Sequence, residues 1–156
     1  MKTFIIYIAS IMIVTAIFIY GLHLPSVIVG KTDLIHEWYY TNAMSSFISD
    51  LFIITAYIHI GLWVAGMFHT RYISGMVSDI MGLIFVTCVL DVFFMLVFYN
   101  GAKYNYISRS SFFVRWFGDV GSIVIFYDIV LVLLVYGTIR GLEYITKENY
   151  NSYKSR

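Results

Sequence analysis

The sequence predicts an all-α protein, an integral membrane four-helix transmembrane bundle. Of the 156 residues, 60% are hydrophobic and only 12% are charged, whereas soluble domains contain about 25% charged residues. Four apolar runs are also long enough to cross a hydrocarbon core of about 30 Å, which takes about 20 helical residues. The predicted spans cover residues 3–22, 46–68, 73–99 and 120–139.

The four runs define one predicted transmembrane domain, residues 1–145, followed by a polar tail, residues 146–156. The first run is longer than the apolar region of a signal peptide and lacks an A-x-A-like cleavage site, which favours an uncleaved anchor. The second and third runs are separated by a few residues around Thr70, which predicts a tight antiparallel hairpin.

The connections at the other side carry aromatic clusters. Residues 38–40 precede the second run, and such rings favour the membrane interface because they combine an apolar body with a polar edge. Residues 111–117, between the third and fourth spans, are apolar and aromatic with the single cation Arg115. This pattern predicts a short interfacial helix that lies on the membrane.

Four spans place both termini on one side of a membrane. That side carries six lysines and arginines and the opposite side four. The positive-inside rule therefore predicts a multi-pass protein with cytoplasmic termini.

Five aspartates lie inside or at the rims of the apolar runs, where a carboxylate costs about 2.5–3.5 kcal/mol on insertion scales. At 1.5 Å per residue, Asp50 lies about 6 Å from the side opposite the termini, and Asp91 and Asp128 lie about 12 Å from it. Asp79 lies near the other side. We predict an intramembrane polar cluster that contains Asp50, Asp91, Asp128, Asp119, Arg115 and Tyr57.

Four interpretations of this cluster stay open. The acids form interhelical hydrogen bonds worth about 1 kcal/mol each, or they form a proton or cation pathway. Three converging carboxylates also suit a divalent metal, although no DxD or ExxE spacing supports one. Finally, Arg115 or Arg109 folds down to form a buried ion pair.

Other patterns are less specific. Gly137-x-x-x-Gly141 and Ser74-x-x-x-Ser78-x-x-x-Gly82 predict helix packing seams.

The single cysteine, Cys88, excludes an intramolecular disulfide, and the four histidines have no paired-ligand spacing. We therefore predict no catalytic residue, no cofactor and no metal. A net charge of +1 also argues against nucleic acid as a partner.

Short motifs follow one another in the order Glu37-Trp38-Tyr39-Tyr40, Asp50-Leu51, Leu90-Asp91, Val120-Gly121 and Tyr127-Asp128. Over residues 37–135, this order resembles a small multi-span membrane protein family of nucleocytoplasmic large DNA viruses. The resemblance implies no activity. It implies a host or virion membrane as the location, and the lipid bilayer, further copies of the chain or other membrane or capsid proteins as partners.

The leading hypothesis from the sequence is a viral structural or assembly component of a membrane, without catalytic activity. The alternative is a small proton or cation transporter or channel that uses the intramembrane aspartates. A membrane enzyme ranks third, because no nucleophile or metal motif is visible.

Overall fold

The structure is a computed structural model that describes residues 2–30, 32–68 and 75–154, and these residues form helices and turns without a strand. The helices are α1 (Lys2–Val14), α2 (Leu24–Val29), α3 (Thr32–His36), α4 (Ala43–Phe68), α5 (Gly75–Lys103), α6 (Phe112–Arg115) and α7 (Ile123–Lys154). Three of them continue into π-helical turns: α1 into Thr15–Gly21, α3 into Glu37–Thr41 and α6 into Trp116–Val120.

Four helices are long and apolar enough to cross a membrane, at Phe4–Gly21, Ala43–Met67, Gly75–Lys103 and Ile123–Lys147. They confirm the four predicted apolar helices. A helix satisfies all of its backbone hydrogen-bonding groups within one segment, as a chain surrounded by lipid must. α7 continues through Lys154, so residues 146–154 of the predicted tail extend the fourth helix. The predicted connection around Thr70 lies outside the described residues.

The tightest helix contact joins α4 and α5. Gly61 and Gly82 face each other there, and a Cβ added at Gly82 would lie only 2.8 Å from the backbone nitrogen of Ala65. The Ser78 hydroxyl donates a hydrogen bond to the Ala65 carbonyl. The predicted seam through Ser78 and Gly82 is therefore a real helix contact, while Ser74 lies outside the described residues.

The second small-residue motif behaves differently. A Cβ added at Gly137 or at Gly141 would meet nothing within 4 Å. The predicted seam at this motif is therefore not used for contacts within the described part of the chain.

Neighbouring long helices run in opposite directions. α5 packs against both α4 and α7, and α7 packs against α1. The ring of Tyr7, early in α1, lies 5.1 Å from that of His59, late in α4. Conversely, Tyr20, in the π-helical turns that follow α1, donates a 2.6 Å hydrogen bond to the carbonyl of Tyr39, just before α4. We call the half of the bundle that contains Tyr7 the terminal end and the half that contains Tyr39 the loop end.

The segment Phe112–Val120 covers the loop end. A short helix is present where the sequence predicts one, and its aromatic side chains pack onto the bundle. Trp116 and Phe117 are buried. Phe112 stacks on Trp38 with ring centroids 4.5 Å apart, and Phe98 of α5 stacks on Phe117.

Candidate functional site

A cavity of about 220 Å³ lies at the loop end, between α4, α5 and α7 and beneath the segment Phe112–Val120. Each of these three helices contributes one carboxylate to its wall: Asp50, Asp91 and Asp128. At about 30 Å³ per water molecule, the space equals roughly seven waters. The structure thus brings together three aspartates that are far apart in the sequence.

The antiparallel order of the helices explains why these positions meet. Asp50 and Asp128 lie near the starts of α4 and α7, whereas Asp91 lies in the second half of α5. Because α5 runs opposite to its two neighbours, all three residues reach the same half of the bundle.

Asp91 has no exposed surface. Its Oδ1 atom accepts a 2.7 Å hydrogen bond from the hydroxyl of Tyr57, which lies two turns along α4 from Asp50. Its Oδ2 atom has no hydrogen-bond partner among the described residues. The carboxyl group of Asp128 makes a polar contact with that of Asp91, but two ionised carboxylates offer each other no proton. One buried oxygen of Asp91 therefore lacks a donor unless a proton or a cation lies between the two carboxyl groups.

Asp50 has a different neighbour. The indole group of Trp38 makes a polar contact with its carboxyl group. Asp50 is half-buried and faces the cavity. The three carboxylates are therefore arranged as a contacting pair, Asp91 and Asp128, and a separate group at Asp50.

Two further tyrosines complete the polar wall. The hydroxyl groups of Tyr39 and Tyr127 are hydrogen-bonded to each other inside the bundle. Burial raises the pKa of the Tyr39 phenol well above its ordinary range, so that this group stays protonated. Tyr57 belongs to the predicted cluster because it lies seven residues after Asp50, on the same face of a helix. Tyr39 is predicted only as an interfacial ring, and Tyr127 is not predicted as a site residue. The signal for Tyr127 was its position directly before Asp128.

The two remaining predicted site residues do not line this cavity. Arg115 pairs with Glu37, since its Nη2 atom lies 2.6 Å from both carboxylate oxygens. This hydrogen-bonded pairing raises the pKa of Arg115. Asp119 is exposed and borders a surface groove together with Arg115 and Arg109. The open alternative in which Arg115 folds down to pair with the aspartates of the apolar runs is therefore not realised, and Arg115 instead forms an ion pair between the two loop-end connections.

The charge of the cavity wall is one-sided. Three carboxylates line it, and no lysine, arginine or histidine does so among the described residues. Asp79, near the start of α5, is separate, because it accepts a hydrogen bond from Tyr136 toward the terminal end. In the described part of the chain, no three histidine, cysteine or acidic side chains converge closely enough to hold a metal ion.

Comparison of the chain with family models, with curated proteins and with solved structures finds no match. The chemistry of the cavity is therefore the main guide to function.

Proposed function

We propose that this chain is a multi-pass integral membrane protein that binds a cation in the acidic cavity at its loop end. The observation that carries the proposal is the wall with three carboxylates and no basic side chain among the described residues. Like charges at close range in a low dielectric cannot all stay ionised without a counter-charge. Because Arg115 pairs with Glu37, that counter-charge has to be a proton or a bound cation.

Membrane insertion is supported by the four long apolar helices and by large apolar side chains that face outward. Phe52 and Trp63 of α4 are 71% and 69% exposed, and Phe93 of α5 is 55% exposed. A lipid bilayer would cover these apolar side chains, which the bundle itself leaves exposed. From the distribution of lysine and arginine we also propose cytoplasmic termini.

The packing beyond the cavity favours a binding site over an open channel. Toward the terminal end, Ile58, Leu83 and Val135 are at most 1% exposed. These side chains fill the space between the helices, so that the cavity does not continue across the bundle in this conformation. A transporter would have to open this region during its cycle.

The test is thermal unfolding of the purified protein in detergent, with sodium, potassium, methylammonium or tetramethylammonium chloride at equal ionic strength. A cation that binds only the folded state stabilises it by about 2.7 kcal/mol at one hundred times its dissociation constant. We expect saturable stabilisation by at least one cation in the wild type. It should be lost in Asp91→Asn and Asp128→Asn and kept in the matched control Asp79→Asn.

If no cation stabilises the wild type more than it stabilises Asp91→Asn, cation binding is refuted. Flux of protons or sodium into liposomes that contain the wild type, and its loss in Asp91→Asn, would instead support the transporter. Wild-type liposomes that leak no faster than empty ones would exclude transport while leaving binding intact.

The second candidate is a structural or assembly role in a viral membrane, which the order of the motifs between Glu37 and Asp128 supports. Its partners would be the bilayer, further copies of the chain or other membrane and capsid proteins. Mass spectrometry of purified virions tests it. Absence of the protein from virions would exclude the structural role without affecting the cavity.

A further inference from the structure

We infer that the cation taken up by the cavity is an amphiphilic organic ammonium ion, with its N–H group at Asp91 and Asp128 and its apolar body against aromatic rings. This inference rests on the proposed function, because it names the ligand class of the same cavity.

The first observation is the unsatisfied oxygen. Asp91 is completely buried, lines the cavity, and has an Oδ2 atom without a donor among the described residues. Buried polar atoms in native proteins nearly always have a partner. The N–H of a protonated amine is a donor of the required charge and forms a short, charge-assisted bond with a carboxylate.

The second observation is the composition of the wall. Of the 17 residues that line the cavity, ten are aromatic, four are aliphatic and three are the aspartates. Phe98 and Phe113 stack on each other with ring centroids 5.3 Å apart and border the cavity, as do Trp38 and Trp116. The face of an aromatic ring attracts a cation through its quadrupole, and the same ring contributes apolar contact. Such a wall suits a ligand that has both a positive charge and an apolar body.

The third observation concerns size and arrangement. A space equal to roughly seven water molecules is larger than a single dehydrated metal ion needs. The carboxylates also occupy two separate places, the Asp91 and Asp128 pair and Asp50, and do not converge on one point. An ammonium group with several directed N–H bonds and an attached body fits this layout better than a small spherical ion.

The charges agree with this placement. A single ammonium group between Asp91 and Asp128 supplies the donor that the Oδ2 atom of Asp91 lacks, and it offsets one of the two negative charges of the pair. Asp50 lies apart from this pair, and its carboxyl group is in polar contact with the indole group of Trp38. No proton has to be shared between Asp91 and Asp128 in this arrangement.

The experiment compares two probes of equal size, 3-phenylpropylamine and 3-phenylpropan-1-ol, on the full chain in detergent. Trp38 and Trp116 border the cavity whereas Trp63 is largely exposed, so binding can be followed by tryptophan fluorescence in a Trp63→Phe background. We expect the amine to bind at least tenfold more tightly than the alcohol. Asp91→Asn and Asp128→Asn should remove this preference, and Asp79→Asn should keep it.

A second pair of variants tests the aromatic wall independently, including the case in which the aspartate variants do not fold. Phe98→Leu and Phe113→Leu should weaken binding of the amine several-fold and leave binding of methylammonium nearly unchanged. Equal affinity for amine and alcohol would overturn the inference, and so would amine binding no tighter than that of methylammonium. If the amine binds no more tightly than methylammonium, the proposed cation binding still stands and only the amphiphilic ligand is refuted. If no cation binds at all, both the cation site and its ligand class are refuted.

Discussion

The close contact between α4 and α5 can be tested by adding one methyl group at Gly82. In Gly82→Ala the new Cβ would lie 2.8 Å from both the backbone nitrogen and the Cβ of Ala65, and it would also press on the Gly61 carbonyl oxygen. Ordinary contacts begin at 3.4 Å, so the helices would have to separate by at least 0.6 Å to relieve the two contacts with Ala65, and by more to relieve the contact with the Gly61 carbonyl oxygen. Overpacking of this kind costs about 1–3 kcal/mol, and backbone atoms cannot move aside as the end of a flexible side chain can.

The control is Gly137→Ala, in the interior of α7, where an added Cβ would meet nothing within 4 Å. Alanine gains about 0.8–1 kcal/mol of helix propensity over glycine in a helix interior, so the difference between the two variants isolates the steric term. We expect Gly82→Ala to be less stable than Gly137→Ala by about 1–3 kcal/mol, measured as the free energy of unfolding in mixed micelles titrated with sodium dodecyl sulfate. A difference below about 0.5 kcal/mol would refute the close approach of the two helices.

Three further predictions follow from single contacts. Tyr57→Phe removes the donor of the 2.7 Å bond to Asp91, and we expect a loss of about 1–2 kcal/mol in the same titration; an unchanged unfolding free energy would contradict the bond. Arg115→Met breaks the ion pair with Glu37. Both side chains are about one third exposed, so the variant should lose little stability and its difference from the wild type should shrink at high salt. In a Cys88→Ser background, single cysteines at positions 31 and 103 should react with an impermeant maleimide from the side opposite to a cysteine at position 147; labelling of all three from one side would refute four spans.

Much of the fold follows from the sequence because hydropathy and helix length are local properties. The runs of apolar residues locate the four long helices, and the fixed rise of an α-helix gives the depth of Asp50, Asp91 and Asp128. Once neighbouring helices alternate in direction, residues at equal depth meet. Helical phase identifies Tyr57 in the same way, as a residue on the face of Asp50.

The partner of Arg115 could not be predicted in this manner. Arg115 and Glu37 lie in different connections, and their contact depends on how the segment Phe112–Val120 folds over the loop end. The contact between Tyr39 and Tyr127 depends on the same tertiary arrangement. The aromatic rings that line the cavity are visible in the sequence, but rings of this type are common at membrane interfaces, so their number does not reveal a cavity.

The contrast between Asp79 and Asp91 separates two of the interpretations that the sequence leaves open. Both are acids of α5, and each accepts a hydrogen bond from a tyrosine of a neighbouring helix, Tyr136 or Tyr57. Asp79 lies outside the cavity, and its hydrogen bond with Tyr136 fits the interpretation of an acid that links two helices. Asp91 keeps one buried oxygen without a donor and touches a second carboxyl group, that of Asp128. An acid that served only to join helices would not be placed against another acid, because the arrangement adds repulsion without adding a hydrogen bond unless a proton or a cation enters. The loop-end pair therefore requires a proton or a cation, which is the physical basis of the proposed cation site, whereas the hydrogen bond between Asp79 and Tyr136 is that of an acid linking two helices.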